Sequence, residues 1–138
     1  MRRKKNIDTR IENCNQYFID LRDDSRRDQR EIKPTDLLDF KELFFNDNDV
    51  VLEIGCGKGR FAVSFAKNNP DINILAVEKS DNVLICGAET ARDETLNNIK
   101  FLCCGAEYLQ RYIDKNSIKA LYLNFSCPFP KKDMKVTD

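Results

Sequence analysis

The stretch that decides the fold is VVLEIGCGKGRF, residues 50–61. Its first half is apolar apart from one carboxylate, Glu53, and is typical of a buried strand. Its second half places three glycines on alternate positions, Gly55, Gly57 and Gly59. Glycine lets the backbone turn sharply and approach a ligand closely, and a helix that follows offers unpaired N–H groups. The stretch therefore predicts a strand, a ligand-binding turn and a helix.

Strand and helix patterns alternate from this stretch onwards. The strands are predicted in VVLEI, INILAVE, IKFLCC and ALYLNF, and the helices in RFAVSFAKN, NVLICGAETARDETL and AEYLQRYI. This alternation predicts an α/β fold with a parallel sheet and right-handed crossovers. The order resembles the first half of a doubly wound, Rossmann-like fold with strands arranged 3-2-1-4. Because the chain stops soon after the fourth strand, we expect an incomplete C-terminal half and an open edge at that strand.

The part of the chain before this region follows different patterns. Apolar residues at helical spacing predict a short amphipathic helix within residues 7–21, and a second apolar segment after Pro34 also predicts a helix. We therefore divide the chain into a basic, helical N-terminal extension at residues 1–45 and the N-terminal part of the Rossmann-like domain at residues 46–138.

Composition and charge narrow the class of protein. Lys and Arg number 23, as do Asp and Glu, so net charge predicts neither nucleic acid nor membrane, whereas basic clusters at both ends can contact RNA phosphates. No apolar run approaches the roughly 20 residues that span a bilayer. The six cysteines form no C-x-x-C pair and there is no histidine, so no metal site is expected. Free thiols favour a cytoplasmic location, and no pattern indicates an oligomeric state.

The spacing of the glycines separates three classes of ligand. A phosphate-binding P-loop needs G-x-x-x-x-G-K-[ST], but Lys58 is followed by Gly59 rather than by a hydroxyl residue. A dinucleotide fingerprint needs G-x-G-x-x-G, and the sixth position here is Arg60. The remaining pattern, E-x-G-x-G-x-G, is similar to the first motif of S-adenosylmethionine-dependent methyltransferases. The alternative is that the turn only joins a strand to a helix.

S-adenosyl-L-methionine carries groups that this part of the chain can hold. Glu53 supplies negative charge near the cationic methionine end, and the helix N-terminus can take the carboxylate. Glu78, nineteen residues after Gly59 and at the end of the second strand, is placed to accept both ribose hydroxyls. Gly105 and Ala106 follow the third strand, where the adenine edge is expected. Two acids at the ends of adjacent strands favour a cofactor site over a plain turn.

The region from about residue 50 to residue 132 resembles the bacterial tRNA (guanine-N7)-methyltransferases. EIGCGKGRF resembles their cofactor loop, and NPDINILAVEKS resembles their second strand with its acidic residue. The most specific match is LYLNFSCPFPKK, where the family carries Asn-Phe-Ser-Asp-Pro-Trp-Pro-Lys-Lys. The resemblance implies a Rossmann-like methyltransferase fold, S-adenosyl-L-methionine as methyl donor, and methyl transfer to N7 of a guanine in the tRNA variable loop.

The resemblance also implies roles for residues near the end of the match. It places Asn124 in the cofactor site, and Lys131 and Lys132 against the RNA substrate. Cys127 stands where the family has Asp, and Phe129 stands where it has Trp. We predict that Cys127 occupies the catalytic position and lines the methyl-transfer pocket without acting as a nucleophile. Phe129 is predicted to form an aromatic wall for the base.

The missing aspartate does not by itself exclude this chemistry. Guanine N7 carries a lone pair and no proton, so its methylation needs an in-line approach rather than a general base. Covalent cytosine methylation through Cys127 is the competing chemistry, but it uses a Pro-Cys order and the order here is Cys-Pro. Two broader alternatives stay open: a cofactor-binding fragment without activity, and a methyltransferase of the same fold that acts on a small molecule or a protein.

Overall fold

A computed structural model describes residues 3–19, 37–124 and 134–137 of the chain. Within these residues the strands are β1 (Val50–Ile54), β2 (Asn73–Glu78), β3 (Ile99–Cys103), β4 (Ala120–Leu123) and β5 (Met134–Thr137). The helices are α1 (Ile7–Glu12), α2 (Phe40–Phe44), α3 (Arg60–Asn68), α4 (Asp81–Asp93) and α5 (Leu109–Tyr112). Among the described helices, none has both the length and the apolar character needed to cross a bilayer.

Strands β1 to β4 are parallel and lie in the order β3-β2-β1-β4. This confirms the predicted Rossmann-like topology. β1 and β2 are central and are buried along almost their whole length, which explains their nearly continuous apolar sequences. The helical connections bring the C-terminal ends of all four strands to one edge of the sheet, and this edge is where ligands bind in such folds.

The prediction of an open edge at β4 is wrong. β5 pairs with β4 in the antiparallel direction, with Ala120 opposite Thr137 and Leu123 opposite Met134. This pairing supplies partners to backbone groups that an edge strand would otherwise leave exposed. MKVT, residues 134–137, alternates apolar and polar residues over only four positions, so an available but weak strand signal was overlooked.

Alternate residues of the strands face two hydrophobic clusters, one on each side of the sheet. On one side, α3 and α4 pack over a cluster that includes Ile74 and Phe101. The cluster on the other side includes Leu75 and Leu102, together with buried residues of α2 and α5. Both faces of the sheet are therefore covered, as parallel sheets require.

The first helix packs into the same core as the sheet. Ile7, Cys14 and Tyr17 are buried in the cluster that contains the inner face of α4. Arg10 donates to Glu89 of α4, with Nε lying 2.8 Å from Oε2, and this hydrogen bond lowers the pKa of the Glu89 carboxyl below its usual range. Residues 3–19 are thus held against α4 by both apolar packing and an ion pair.

The helix predicted within residues 7–21 is shorter than its apolar spacing indicated. α1 ends at Glu12, and a 3-10 turn follows it at Asn15–Tyr17. Phe18 then forms a parallel β-bridge with Phe101, and the Ile19 N–H donates to the Phe101 carbonyl at 2.9 Å. Pairing with the edge of β3 replaces a helical hydrogen bond at Ile19. Such a contact between distant segments leaves no mark on the periodicity of the sequence.

Candidate ligand-binding site

The turn between β1 and α3 holds three glycines at backbone angles that other residues rarely adopt. The angle φ is +76° at Gly55, +55° at Gly57 and +81° at Gly59. The N–H groups of Gly55 and Cys56 donate to the Val77 carbonyl at 2.8 and 3.0 Å, which ties the turn to the end of β2. The positive angles give a physical reason for glycine at each alternate position.

The three glycines differ in what a side chain would meet. A Cβ added to Gly55 would lie 2.4 Å from the carbonyl oxygen of Asn124, and one added to Gly59 would lie 3.1 Å from Cα of Gly87. A Cβ added to Gly57 would have no atom of the described residues within 4 Å. Among the described residues, the turn is therefore packed tightly at both ends and open beside its middle.

Glu53 is fully buried in β1, immediately before the turn. The side-chain amide of Asn124, which follows β4, donates to its Oε2 through a long hydrogen bond of 3.4 Å. The Asn124 N–H also donates to the Ile54 carbonyl at 3.1 Å, which continues the β1–β4 pairing. Two residues predicted for the cofactor site, from strands that meet at the topological switch point, thus lie in contact.

Glu78 ends β2 and is half-buried at the same edge of the sheet. Its Oε2 accepts a hydrogen bond from the Ser80 N–H at 3.0 Å, which holds the carboxylate at the start of the connection to α4. The Cys104 N–H donates to the Glu78 carbonyl at 3.1 Å, so that the turn containing Gly105 and Ala106 begins beside this acid. The eight predicted cofactor residues that the structure describes therefore lie at the C-terminal ends of four adjacent strands.

Cys56 lies within the glycine turn and is buried. Burial raises the pKa of its thiol, and the nearby carboxylates of Glu53 and Glu78 raise that pKa further. The thiol therefore stays protonated at neutral pH and is a poor nucleophile. Cys56 fills space beneath the turn rather than contributing a reactive group.

Sequence reasoning missed two residues that support the turn. A Cβ added to Gly59 would lie 3.4 Å from Cε1 of Phe101. A Cβ added to Gly87 would lie 3.0 Å from the same Cε1 atom and 3.0 Å from the Lys58 carbonyl oxygen. Gly87 therefore lets α4 approach the turn closely, with the Phe101 ring beneath both. A glycine in the middle of a predicted helix was the available signal, since such a residue commonly has a packing reason.

The remaining predicted site residues, Cys127, Phe129, Lys131 and Lys132, lie outside the described residues. Their roles stay predictions. In the described ranges, no three Cys, Asp or Glu side chains gather as the ligands of a metal ion would.

A family model described as "Putative methyltransferase" matches residues 47–135, from the loop before β1 into β5. The chain belongs to this methyltransferase family. A tRNA (guanine-N(7)-)-methyltransferase of Listeria monocytogenes serotype 4b (strain F2365) is 40% identical over 93 residues, covering 67% of this chain and 44% of that protein. A protein of the same name from Bacillus cytotoxicus is 42% identical over 93 residues, with coverage of 67% and 43%. The resemblance inferred from the sequence is confirmed.

This family member spans somewhat less than half the length of the curated relatives it matches, 44% and 43% in the two cases above. Among solved structures, a phosphoethanolamine N-methyltransferase 2 of Haemonchus contortus is 22% identical with a TM-score of 0.48, covering 55% of this chain and 17% of that chain. The fold assignment does not rest on this likeness.

Proposed function

We propose that this chain is the cofactor-binding part of an S-adenosyl-L-methionine-dependent methyltransferase that methylates N7 of a guanine in the variable loop of tRNA. The observation that carries the proposal is the glycine turn of a doubly wound sheet, with Glu53 and Glu78 at the ends of adjacent strands. The shared name of the curated relatives supports guanine N7 of tRNA as the acceptor. A tRNA substrate also favours a cytoplasmic location.

The residues at this edge of the sheet fit the proposed cofactor. The space beside Gly57, which no described residue fills, gives room for a ligand close to the backbone. Glu78 is half-buried and presents a carboxylate that can accept two ribose hydroxyls, while Glu53 lies fully buried beneath the turn. When bound, the cofactor supplies an electrophilic methyl group on a sulfonium. The first N–H groups of α3 are free of helical partners and suit its carboxylate.

Methylation of guanine N7 requires the protein to position the base rather than to remove a proton from it. Guanine N7 has a lone pair and no proton, so a base held in line with the methyl group can react without a general base. We assign the positioning of the base to Phe129, the RNA contacts to Lys131 and Lys132, and the pocket wall to Cys127. These assignments rest on the sequence match.

The proposed reaction is tested with the full chain, labelled cofactor and two tRNA transcripts. One transcript is unmodified, and in the other the variable-loop guanine is replaced by adenine. We expect label in the first and none in the second. Equal labelling of both transcripts would contradict the acceptor assignment. Normal cofactor binding without transfer to either transcript would identify the chain as a binding fragment without activity.

Replacing Glu78 with glutamine should raise the Kd for S-adenosyl-L-methionine by about 10- to 100-fold. A hydrogen bond to a charged group contributes roughly 1.5–3 kcal/mol, and 1.4 kcal/mol corresponds to a factor of ten. The measurement is isothermal titration calorimetry of the variant and the parent chain. Glu42→Gln is the matched control, because Glu42 is an exposed acid of α2, and its Kd should stay unchanged. An unchanged Kd for Glu78→Gln would remove this residue from the cofactor site.

Replacing Cys127 with serine should leave guanine methylation within about threefold of the parent rate. The reaction consumes a lone pair of the base and needs no covalent intermediate, so a hydroxyl of similar size can fill the same space. The initial rate of transfer to unmodified tRNA measures the effect. Loss of transfer with normal cofactor binding would support a nucleophilic thiol, and so would a protein–RNA adduct that only the parent chain forms.

A further inference from the structure

We propose that a pocket on the outer side of α3 binds a phosphate of the RNA backbone. This basic pocket has a volume of about 320 Å³ and is lined by Lys58, Gly59, Arg60, Val63, Ser64, Lys67, Asn68 and Thr90. It lies apart from the predicted cofactor residues except at Gly59. The proposal rests on the proposed function only in taking the phosphate to belong to RNA.

One face of α3 forms most of the basic pocket. Arg60, Ser64 and Lys67 follow helical spacing, and the same spacing brings Val63 beneath them as a buried floor. Arg60 and Lys67 are seven residues apart, which corresponds to about 10 Å along the helix axis. Thr90 of α4 forms the opposite wall. The result is a concave site with a cation towards each end.

The chemistry of the lining suits an anion. Three of the lining residues are cationic and none is acidic, although the net charge of the whole chain is zero. Asn68 Nδ2 donates to Ser64 Oγ at 3.4 Å, so the hydroxyl proton of Ser64 remains able to donate to a ligand. Hydrogen bonds to phosphate oxygens from cations and hydroxyls are the usual contacts of proteins with a nucleic acid backbone.

Glu94 reduces the positive charge of this pocket from its rim. Its Oε1 lies 2.7 Å from Nζ of Lys67, and the two side chains are 35% and 52% exposed. An ion pair this exposed contributes roughly 0–1 kcal/mol, so a phosphate can compete for the lysine. Removing the Glu94 charge should therefore strengthen anion binding, which is a gain that partial unfolding cannot imitate.

The position of the basic pocket fits an RNA substrate. Lys58 and Gly59 belong both to the pocket and to the glycine turn, so one end of the pocket adjoins the proposed cofactor site. A phosphate contact fixes the register of a nucleic acid without reading its sequence. The basic pocket would thereby hold the strand near the methyl donor, while residues elsewhere select the guanine.

The test measures binding of the full chain to a guanine-free probe, a 12-nucleotide oligouridylate, at several salt concentrations without cofactor. For the double variant Arg60→Gln/Lys67→Gln we expect a Kd about five- to tenfold higher. The slope of log K against log salt concentration should become shallower by about 1.4. Each phosphate contact with a single strand contributes about 0.7 to this slope, and the double variant removes two such contacts. For Glu94→Gln we expect a Kd about two- to threefold lower. Lys119→Gln, which changes an exposed lysine before β4, should stay within twofold.

Three outcomes would overturn the proposal. The first is a double variant whose salt-dependence slope matches that of Lys119→Gln. The second is a Glu94→Gln variant that binds the oligouridylate no more tightly than the parent. Either result would make the basic pocket an ordinary solvated surface. The third is displacement of the oligomer by inorganic phosphate at an equal concentration of phosphate groups, which would assign the pocket to the free ion. Because the probe lacks guanine and the assay lacks cofactor, these failures leave the proposed methyl transfer standing.

Discussion

Replacing Phe101 with alanine should lower the free energy of unfolding by about 3–5 kcal/mol, the usual range for a buried phenylalanine. The Phe101 side chain is fully buried in β3, and its ring centroid lies 6.2 Å from that of Phe18. The same ring lies against Gly59 and Gly87, so its removal opens a cavity directly beneath the glycine turn. The substitution should therefore perturb the candidate site as well as the core.

Urea unfolding followed by circular dichroism measures this change, and calorimetric titration with S-adenosyl-L-methionine reports on the turn. Phe101→Leu is the control, because it keeps most of the apolar volume and should cost less than about 1.5 kcal/mol. A loss below about 1.5 kcal/mol for the alanine variant would mean that the site collapses to fill the cavity, and that Phe101 does not support the turn.

Replacing Gly55 with alanine should cost about 2–5 kcal/mol of stability. Left-handed backbone at a residue with a Cβ costs roughly 1–2 kcal/mol, and forcing an extra carbon into packed structure costs roughly 1–3 kcal/mol more. Both penalties apply, because φ is +76° and the new Cβ would lie 2.4 Å from the Asn124 carbonyl oxygen. That oxygen belongs to the backbone that follows β4, so it cannot move without disturbing the sheet.

Gly57→Ala is the matched control for this variant. Its φ of +55° imposes the backbone penalty, but its Cβ would have no atom of the described residues within 4 Å. We therefore expect a loss of only about 1–2 kcal/mol. Chemical denaturation of the two variants side by side gives the difference. Equal losses at the two positions would show that the close approach to Asn124 does not constrain the turn.

The sequence by itself determined the order of the strands and helices and the topology of the parallel sheet. VVLEI and RFAVSFAKN form a strand and a helix with the predicted bounds, and the sheet has the predicted order of its four parallel strands. Apolar runs, helical periodicity and glycine spacing are local signals, and right-handed crossover connections leave few ways to arrange the strands they predict. The same signals indicated Glu53, Glu78 and the glycine turn, which the structure brings to one edge of the sheet.

The tertiary structure decided what depends on contacts between distant residues. Phe18 leaves its predicted helix to bridge to Phe101, and β5 covers the edge of β4. The approach of Gly87 to the glycine turn, and the basic pocket between α3 and α4, likewise join segments that lie well apart in the sequence. No periodicity records such pairings, because their free energy arises only when the sheet is formed and the helices are packed on it.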